Sequence, residues 1–192
     1  GGYGKLLYKL TPAVGPTLLK NDIVPSSVAP SKCPPAYFAA GRVRELRYKE
    51  IKELEQNFID AAERVKKAGC DGVELHASHG YLLQQFLSPY TNQRTDEYGG
   101  NLENRMRFLL NILRGIKEKC GKDFPVVVRL TADECYEMVG QKGKGYTLED
   151  GVKIAKALEE NGADAIDVSS AGYDAFNYWL EPVSFEPGWR KY

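Results

Sequence analysis

Two histidines and a tyrosine are the residues of this 192-residue chain whose types and spacing most directly suggest chemistry. His76, His79 and Tyr81 lie in the segment Glu-Leu-His-Ala-Ser-His-Gly-Tyr that begins at Glu74, and the chain contains no other histidine. Two imidazole rings can donate hydrogen bonds to one substrate oxygen, and a neighbouring phenol can donate a proton. The segment therefore suggests a catalytic site that polarises and protonates a substrate.

The same spacing allows two other interpretations. An H-x-x-H pair can be purely structural, or it can supply two ligands to a metal ion. No third ligand follows at a characteristic spacing, so we predict that no metal is bound. From spacing alone, the structural and the catalytic interpretations of the two histidines both remain open.

The four cysteines indicate neither a metal cluster nor a disulfide framework. They are Cys33, Cys70, Cys120 and Cys135, and no two of them form a C-x-x-C pair, the spacing that zinc ribbons and iron–sulfur clusters commonly use. Small disulfide-rich domains are shorter and contain more cysteine. We therefore predict reduced cysteines in a cytoplasmic protein.

Composition argues against two classes of partner. Lys and Arg number 26 and Asp and Glu number 26, so the formal net charge is zero, and no excess of positive charge favours nucleic acid. No apolar run approaches the roughly 20 residues of a membrane span, and no signal peptide is recognisable at the N-terminus. We expect a small-molecule partner, with neither nucleic acid nor membrane.

The elements that must position the histidines alternate between strand and helix. Short apolar segments, the third of them with three consecutive valines, predict four strands, and apolar residues at spacings of three and four predict three helices between them. The predicted strands are residues 5–10, 71–76, 125–130 and 163–168, and the predicted helices are residues 51–68, 102–116 and 148–160. This alternation is typical of an α/β fold with a parallel sheet.

A weak internal repeat makes the prediction more specific. Residues 67–75 and 160–168 share the order of a helix end, a glycine turn, an aspartate and a strand. The connections after each strand are long, and parallel α/β folds place their sites in those connections. We therefore predict a partial (β/α)₈ TIM barrel with about four parallel strands, in which residues 1–192 are a fragment of a single domain.

A long motif then indicates a family. Residues 76–89 read H-A-S-H-G-Y-L-L-Q-Q-F-L-S-P, residues 92–100 read N-Q-R-T-D-E-Y-G-G, and residues 103–105 read E-N-R. This text strongly resembles the Old Yellow Enzyme family of FMN-dependent ene-reductases, and in particular its branch of 2-enoate and 2,4-dienoyl-CoA reductases. The resemblance implies bound FMN, NAD(P)H as electron donor, and reduction of the C=C bond of an enone or enoate.

The resemblance also assigns roles by position. It implies that His76 and His79 hold the carbonyl oxygen of the substrate, and that Tyr81 protonates its α-carbon after hydride transfer from the flavin. Arg129, at the end of the Val-Val-Val-Arg strand, would lie against the flavin ring. Lys9 stands where the family has a flavin-contacting glutamine, and its ammonium group can donate a hydrogen bond but cannot accept one.

The charged and glycine residues of the motif receive a structural interpretation. We expect Arg94, Asp96 and Arg105 to hold the connection after the second strand rather than to contact substrate. Gly99 and Gly100 are expected to form a turn before the next helix.

The sequence also departs from the family pattern. Only four strands are recognisable, and the cysteine cluster that holds iron–sulfur in the longer family members has no counterpart here. The alternative function is therefore a non-catalytic half-barrel without turnover, and we expect the isolated chain to be inactive and to bind FMN weakly or not at all. The unclosed edges of such a sheet favour association into a homo-oligomer.

Overall fold

The computed structural model describes residues 7–10, 27–31 and 43–171. Its elements, numbered along the chain, are β1 (Leu7–Leu10), β2 (Ser27–Ala29), β3 (Val43–Glu45), α1 (Tyr48–Lys67), β4 (Gly72–Ala77), α2 (Leu82–Leu87), α3 (Leu102–Cys120), β5 (Val126–Thr131), a 3₁₀ helix (Tyr136–Val139), α4 (Leu148–Glu160) and β6 (Ala165–Ser169). The order of strands and helices is that of an α/β protein.

A four-stranded parallel sheet is the centre of the fold. Its strand order is β1-β4-β5-β6, so each strand lies beside the next sheet strand along the chain, and every pair is parallel. The predicted parallel sheet is therefore confirmed. Strands β4, β5 and β6 begin one or two residues later than the sequence suggested, which is the usual uncertainty of an element boundary.

Alternation along the strands assigns one face of the sheet to the helices. Val73, Leu75, Val126 and Val128 have no exposed surface and belong to the same apolar core as residues of α1, α3 and α4. Between α1 and α3, the rings of Phe58 and Phe108 meet edge to face at a centroid distance of 6.5 Å. Burial of this face supplies the hydrophobic free energy that fixes the strand register.

Two helix starts show how side chains set the boundaries. Helix α1 begins three residues earlier than predicted, and the Glu50 carboxylate accepts a hydrogen bond from the Arg47 backbone N–H at 2.8 Å. Helix α4 begins at residue 148 as predicted, but among the described residues the side chain of the preceding Thr147 makes no capping hydrogen bond. The Leu148 N–H donates instead to Asp133 Oδ2 at 3.1 Å.

The connection between β4 and α3 contains a short helix. The sequence analysis interpreted residues 76–101 as a loop, and the structure corrects this because residues 82–87 form α2. All six residues of α2 are buried, so the segment lacks the polar face that makes a helix recognisable from its pattern. The short strands β2 and β3, three residues each, were also missed.

Two buried arginines hold this connection, as the structural interpretation of the motif predicts. Arg94 Nη1 donates to the backbone oxygens of Pro30 and Leu46, each at 2.7 Å, and its guanidinium group pairs with Asp96. Arg105 donates to the Leu87 and Gly100 oxygens at 2.8 and 2.6 Å. The arginines therefore satisfy carbonyls that would otherwise be buried without a donor.

Gly99 is required by this packing. A Cβ atom at Gly99 would lie 2.2 Å from the backbone oxygen of Arg94. Gly100 follows in the left-handed region, with φ of 84°. The two glycines thus form the predicted turn into α3.

Replacing Arg94 by methionine tests the structural role of its guanidinium group. Arg94→Met keeps most of the side-chain length but leaves the Pro30 and Leu46 carbonyls and Asp96 without their donor, so unfolding should become easier by about 2–4 kcal/mol. Urea denaturation measures this difference. Arg114→Met, the same change at an exposed position of α3, should stay within about 0.5 kcal/mol of the parent chain. Equal losses in both variants would contradict the role given to Arg94.

Candidate active site

The carboxyl-terminal ends of β4, β5 and β6 bring the predicted site residues to one edge of the sheet. In the strand register His76 lies opposite Arg129, and Arg129 lies opposite Asp167. Two residues further along these strands, Thr131 lies opposite Ser169. Side chains in one such row point to the same face, so His76, Arg129 and Asp167 share the face that the helices leave open.

The two histidines are held in a fixed mutual arrangement. Their ring centroids are 5.3 Å apart, and Ser78 Oγ lies 3.1 Å from Nδ1 of His76 and 3.5 Å from Nδ1 of His79. A hydroxyl has one hydrogen, so Ser78 can donate to only one of the two rings, and the shorter distance favours donation to His76. His76 is almost fully buried, at 5% exposure.

Tyr81 joins the histidines at the start of α2. Its ring centroid lies 5.0 Å from that of His76, and its backbone adopts the extended conformation of a residue that precedes a helix. The structure therefore brings together the three residues for which the sequence analysis predicted catalysis.

His79 lies in a turn with an unfavourable backbone conformation. Its φ of 57° lies in the left-handed region, which residues other than glycine rarely adopt, and Gly80 follows with φ of 74°. The His79 backbone N–H donates to Thr131 Oγ1 at 3.3 Å. At the other end of the side chain, Nε2 lies 2.6 Å from Ser169 Oγ. The turn thus directs the imidazole of His79 across the ends of β5 and β6.

A buried polar network supports this turn from below, and the sequence analysis did not identify its members. Gln84 Oε1 accepts hydrogen bonds from the Gly80 N–H at 2.5 Å and from the Thr131 hydroxyl at 3.2 Å. Gln84 Nε2 in turn lies 3.4 Å from Glu134 Oε1. The network therefore connects the histidine turn to a carboxylate in the loop after β5.

Glu134 is fully enclosed in that loop. Its Oε2 atom accepts from Ser88 Oγ and from the Tyr146 N–H, both at 2.8 Å, and the residue is 1% exposed. Burial raises the pKa of Glu134 to about 7, and the hydrogen bond from Ser88 and the charge of Arg105 oppose the shift only in part. Glu134 thus changes charge near neutral pH.

Arg129 offers an unsatisfied donor on the open face. Among the described residues its buried Nε atom has no hydrogen-bond acceptor, and a carboxylate oxygen of Asp167 lies 3.5 Å away. This distance allows electrostatic attraction but is too long for a good hydrogen bond. The acceptor atoms at the edge of a flavin ring fit such a donor, so Arg129 is compatible with the FMN that the motif implies.

Lys9 lies closer to the strand starts. It is opposite Glu74 in the register of β1 and β4, two residues before the row that contains His76 and Arg129. Its side chain lies outside the described residues, so its predicted contact with the flavin stays a prediction.

The described part of the chain shows neither a cluster of metal ligands nor a membrane-spanning helix. Within residues 7–10, 27–31 and 43–171, no three His, Cys, Asp or Glu side chains are grouped as ligands for a metal ion. None of the helices in these ranges combines the length and the apolar character that crossing a membrane requires.

The sheet, its helices and the position of the site define an α/β protein of the parallel-barrel type. The sequence model of the NADH:flavin oxidoreductase / NADH oxidase family matches residues 13–187. The chain therefore belongs to this family of flavin-dependent oxidoreductases, as the motif at His76 indicates.

Two curated relatives resemble the chain over most of its length. It is 50% identical to an NADH oxidase of Thermoanaerobacter brockii over 165 residues, which are 86% of this chain and 24% of that protein. It is 39% identical to a cinnamate reductase of Clostridium sporogenes, over 96% of this chain and 29% of that protein. The chain thus spans between a fifth and a third of the length of these relatives.

Solved structures give the same result for the fold. A 2-naphthoyl-CoA reductase in complex with 2-naphthoyl-CoA superimposes with a TM-score of 0.70 at 37% identity, over 79% of this chain and 22% of that one. A histamine dehydrogenase from Rhizobium sp. 4-9 gives a TM-score of 0.66 at 35% identity, over 76% and 21%. These similarities support the predicted partial barrel.

The raised pKa of Glu134 predicts a pH-dependent stability. The folded chain holds a proton on Glu134 up to about pH 7 and the unfolded chain only to about pH 4.5, so this stabilisation is complete below pH 4.5 and is lost as the pH rises to 7. Between pH 4.5 and 8, the unfolding free energy of the parent chain should fall by roughly 3 kcal/mol relative to that of Glu134→Gln.

Denaturant titrations at a series of pH values measure this difference. Glu137→Gln makes the same chemical change at an exposed position three residues away and should leave the pH dependence of the parent chain unchanged. If Glu134→Gln follows the parent curve at every pH, Glu134 does not titrate in this range.

Proposed function

We propose that this chain is part of an NAD(P)H:flavin oxidoreductase that reduces the C=C bond of an α,β-unsaturated carbonyl or carboxylate compound. The observation that carries the proposal is the grouping of His76, His79 and Tyr81 beside Arg129, whose buried Nε has no acceptor in the described part of the chain. The cinnamate reductase among the relatives supports this substrate class, because cinnamate is an α,β-unsaturated carboxylate.

Each site residue has a chemical task in this proposal. His76 and His79 donate hydrogen bonds to the substrate oxygen, and this stabilises the negative charge that develops there. The phenol of Tyr81 donates a proton to the α-carbon. FMN, when bound, supplies the hydride for the β-carbon. Arg129 places a fixed positive charge at the edge of the flavin ring, and Lys9 is proposed as a further donor to the cofactor.

The orientation of the imidazole rings of His76 and His79 supports their proposed role as hydrogen-bond donors. Ser78 occupies the Nδ1 side of both histidines, so it orients the rings and favours presentation of their Nε2 sides to a substrate. Ser169 Oγ, at 2.6 Å from Nε2 of His79, stands where a substrate oxygen would compete for the same hydrogen bond. The rings are therefore oriented before any substrate binds, which lowers the cost of reorganisation.

We further propose that residues 1–192 belong to one FMN-binding barrel domain of a cytoplasmic protein, with small molecules as its partners. The competing proposal is a non-catalytic half-barrel. It is supported by the open face of the sheet, where Glu74, Arg129 and Asp167 are partly exposed, and by Val168 on β6, which is 70% exposed. A half-barrel of this kind would associate with a second copy through those surfaces and would show no turnover.

Exchange of Tyr81 for phenylalanine tests the proton donor. In the flavin-loaded protein that carries this chain, Tyr81→Phe should leave the reaction with NAD(P)H intact, because no proton from the phenol is needed there. Turnover with an enoate should fall about 10²–10⁴-fold, because the α-carbon loses its positioned acid. Stopped-flow absorbance of the flavin separates the two half-reactions.

Two further variants complete this experiment. His79→Ala should weaken substrate binding and slow the reaction with the enoate, because a donor to the developing negative charge is lost. Tyr90→Phe removes a hydroxyl from a tyrosine whose ring contacts Tyr136, at 5.4 Å between centroids, and should leave both half-reactions unchanged. Unchanged enoate turnover in Tyr81→Phe, with slower reaction with NAD(P)H, would show that Tyr81 is not the acid.

A further inference from the structure

The carboxylate of Glu134 is a buried ionisable group that the proposed chemistry does not use. It is 1% exposed, and it lies in the loop after β5 rather than among the residues that would contact substrate. The charged groups that face it are Arg105 of α3 and Asp133 of the same loop, and Arg105 in turn lies 3.8 Å from Asp150. A buried carboxylate is costly unless it has a structural or functional task, so its contacts are informative.

The two oxygens of Glu134 have different partners. Oε2 accepts from Ser88 Oγ and from the Tyr146 N–H, and Oε1 faces Gln84 Nε2. Three donors therefore converge on one carboxylate. Above about pH 7 the carboxylate of Glu134 is ionised and can only accept hydrogen bonds, so it then requires that the NH₂ group of the Gln84 amide point towards it.

This requirement determines what the other end of the Gln84 amide can do. With its NH₂ group facing Glu134, Gln84 must direct Oε1 to the opposite side. There Oε1 accepts from the Gly80 N–H at 2.5 Å and from Thr131 Oγ1 at 3.2 Å. If the amide were reversed, its NH₂ group would meet the Gly80 N–H, and two donors would face each other without an acceptor.

The Gly80 N–H belongs to the peptide bond that joins it to His79. The two neighbouring peptides are held as well: Gln85 Nε2 donates to the Gly80 oxygen of the next peptide at 2.7 Å, and the His79 N–H of the preceding peptide donates to Thr131. Because the left-handed φ of His79 costs about 1–2 kcal/mol, the turn needs such external hydrogen bonds to remain populated. The hydrogen bond from Gly80 to Gln84 is one of them.

We propose that Glu134 is a positioning residue for His79, which it orients through the amide of Gln84. The inference rests on the proposed role of His79 in holding a substrate oxygen. Glu134 itself does not contact the substrate. Its carboxylate sets the direction of the Gln84 amide, the amide oxygen holds the His79–Gly80 peptide, and the peptide places the imidazole of His79 beside Ser169.

Glu134→Gln tests the link without a change in size. The new amide must keep its oxygen towards the two donors Ser88 and Tyr146, so its NH₂ group faces the NH₂ group of Gln84. Gln84 must then reverse, and Gly80 loses its acceptor. At pH 8 the Gly80 amide should exchange with solvent at least about fivefold faster than in the parent chain, and the NMR signal of the His79 imidazole should shift.

The double variant Glu134→Gln, Gln84→Glu is the matched rescue. It moves the carboxylate from position 134 to position 84 and leaves the net charge unchanged. Glutamine at 134 keeps its oxygen for Ser88 and Tyr146 and donates its NH₂ group to the carboxylate at 84, which accepts from Gly80 and Thr131. Exchange of the Gly80 amide should return to within about twofold of the parent value, and the His79 signal should return to its original position.

Amides of α1, such as that of the fully buried Ala62, report on the whole fold in the same experiment. The proposal requires that they do not accelerate together with Gly80 in Glu134→Gln. Uniform acceleration would show that Glu134 serves only general stability, and an unchanged Gly80 amide, or a double variant without rescue, would also overturn the proposal.

Gln84→Leu provides an independent measurement should Glu134→Gln not fold. It removes the amide and leaves Glu134 bonded to Ser88 and Tyr146, so Gly80 should again exchange faster. An unaffected Gly80 amide in this variant would contradict the proposed link. Because these readouts need neither flavin nor substrate, they test the link to His79 separately from the proposed reduction of an enone or enoate.

Discussion

The alternation of side chains across β4, β5 and β6 is the constraint on which the rest of the structure depends. Val73, Leu75 and Val128 are fully buried against the helices, so the intervening residues must lie on the other face. These include His76 and Arg129, which the register places opposite each other. Shifting one strand by a single residue would turn its valines to the open face and remove its site residue. Core packing therefore also sets the geometry of the candidate site.

The connections after the strands depend on a different kind of interaction. Arg94 and Arg105 are buried, and each donates hydrogen bonds to two backbone oxygens, those of Pro30 and Leu46 for Arg94 and those of Leu87 and Gly100 for Arg105. Fixed donors of this kind, together with the apolar residues of α2 that join the main core, order the segment from His79 to α3. The loop that carries His79 and Tyr81 is thereby attached at both ends, to β4 and to these arginines, and can hold its side chains ready for a ligand.

Much of this could be predicted from the sequence because the signals are local. Three consecutive valines predicted β5, and apolar residues at spacings of three and four predicted α3. The alternation of strands and helices then predicted four parallel strands, with small errors at their boundaries. The motif around His76 identified the family and three residues that the structure brings within reach of each other. Helix α2 was missed because it is buried on all sides, and a helix without a polar face has no amphipathic pattern.

The sequence by itself thus determined the fold class, the family, and His76, His79, Tyr81 and Arg129 as candidate residues. Only the tertiary structure decided how they are supported. Gln84 lies 47 residues from Thr131 and 50 from Glu134 along the chain, and no periodicity or spacing links residues so far apart. Their hydrogen bonds exist because parallel packing brings the ends of β4 and β5 together and excludes water there, and this burial also raises the pKa of Glu134.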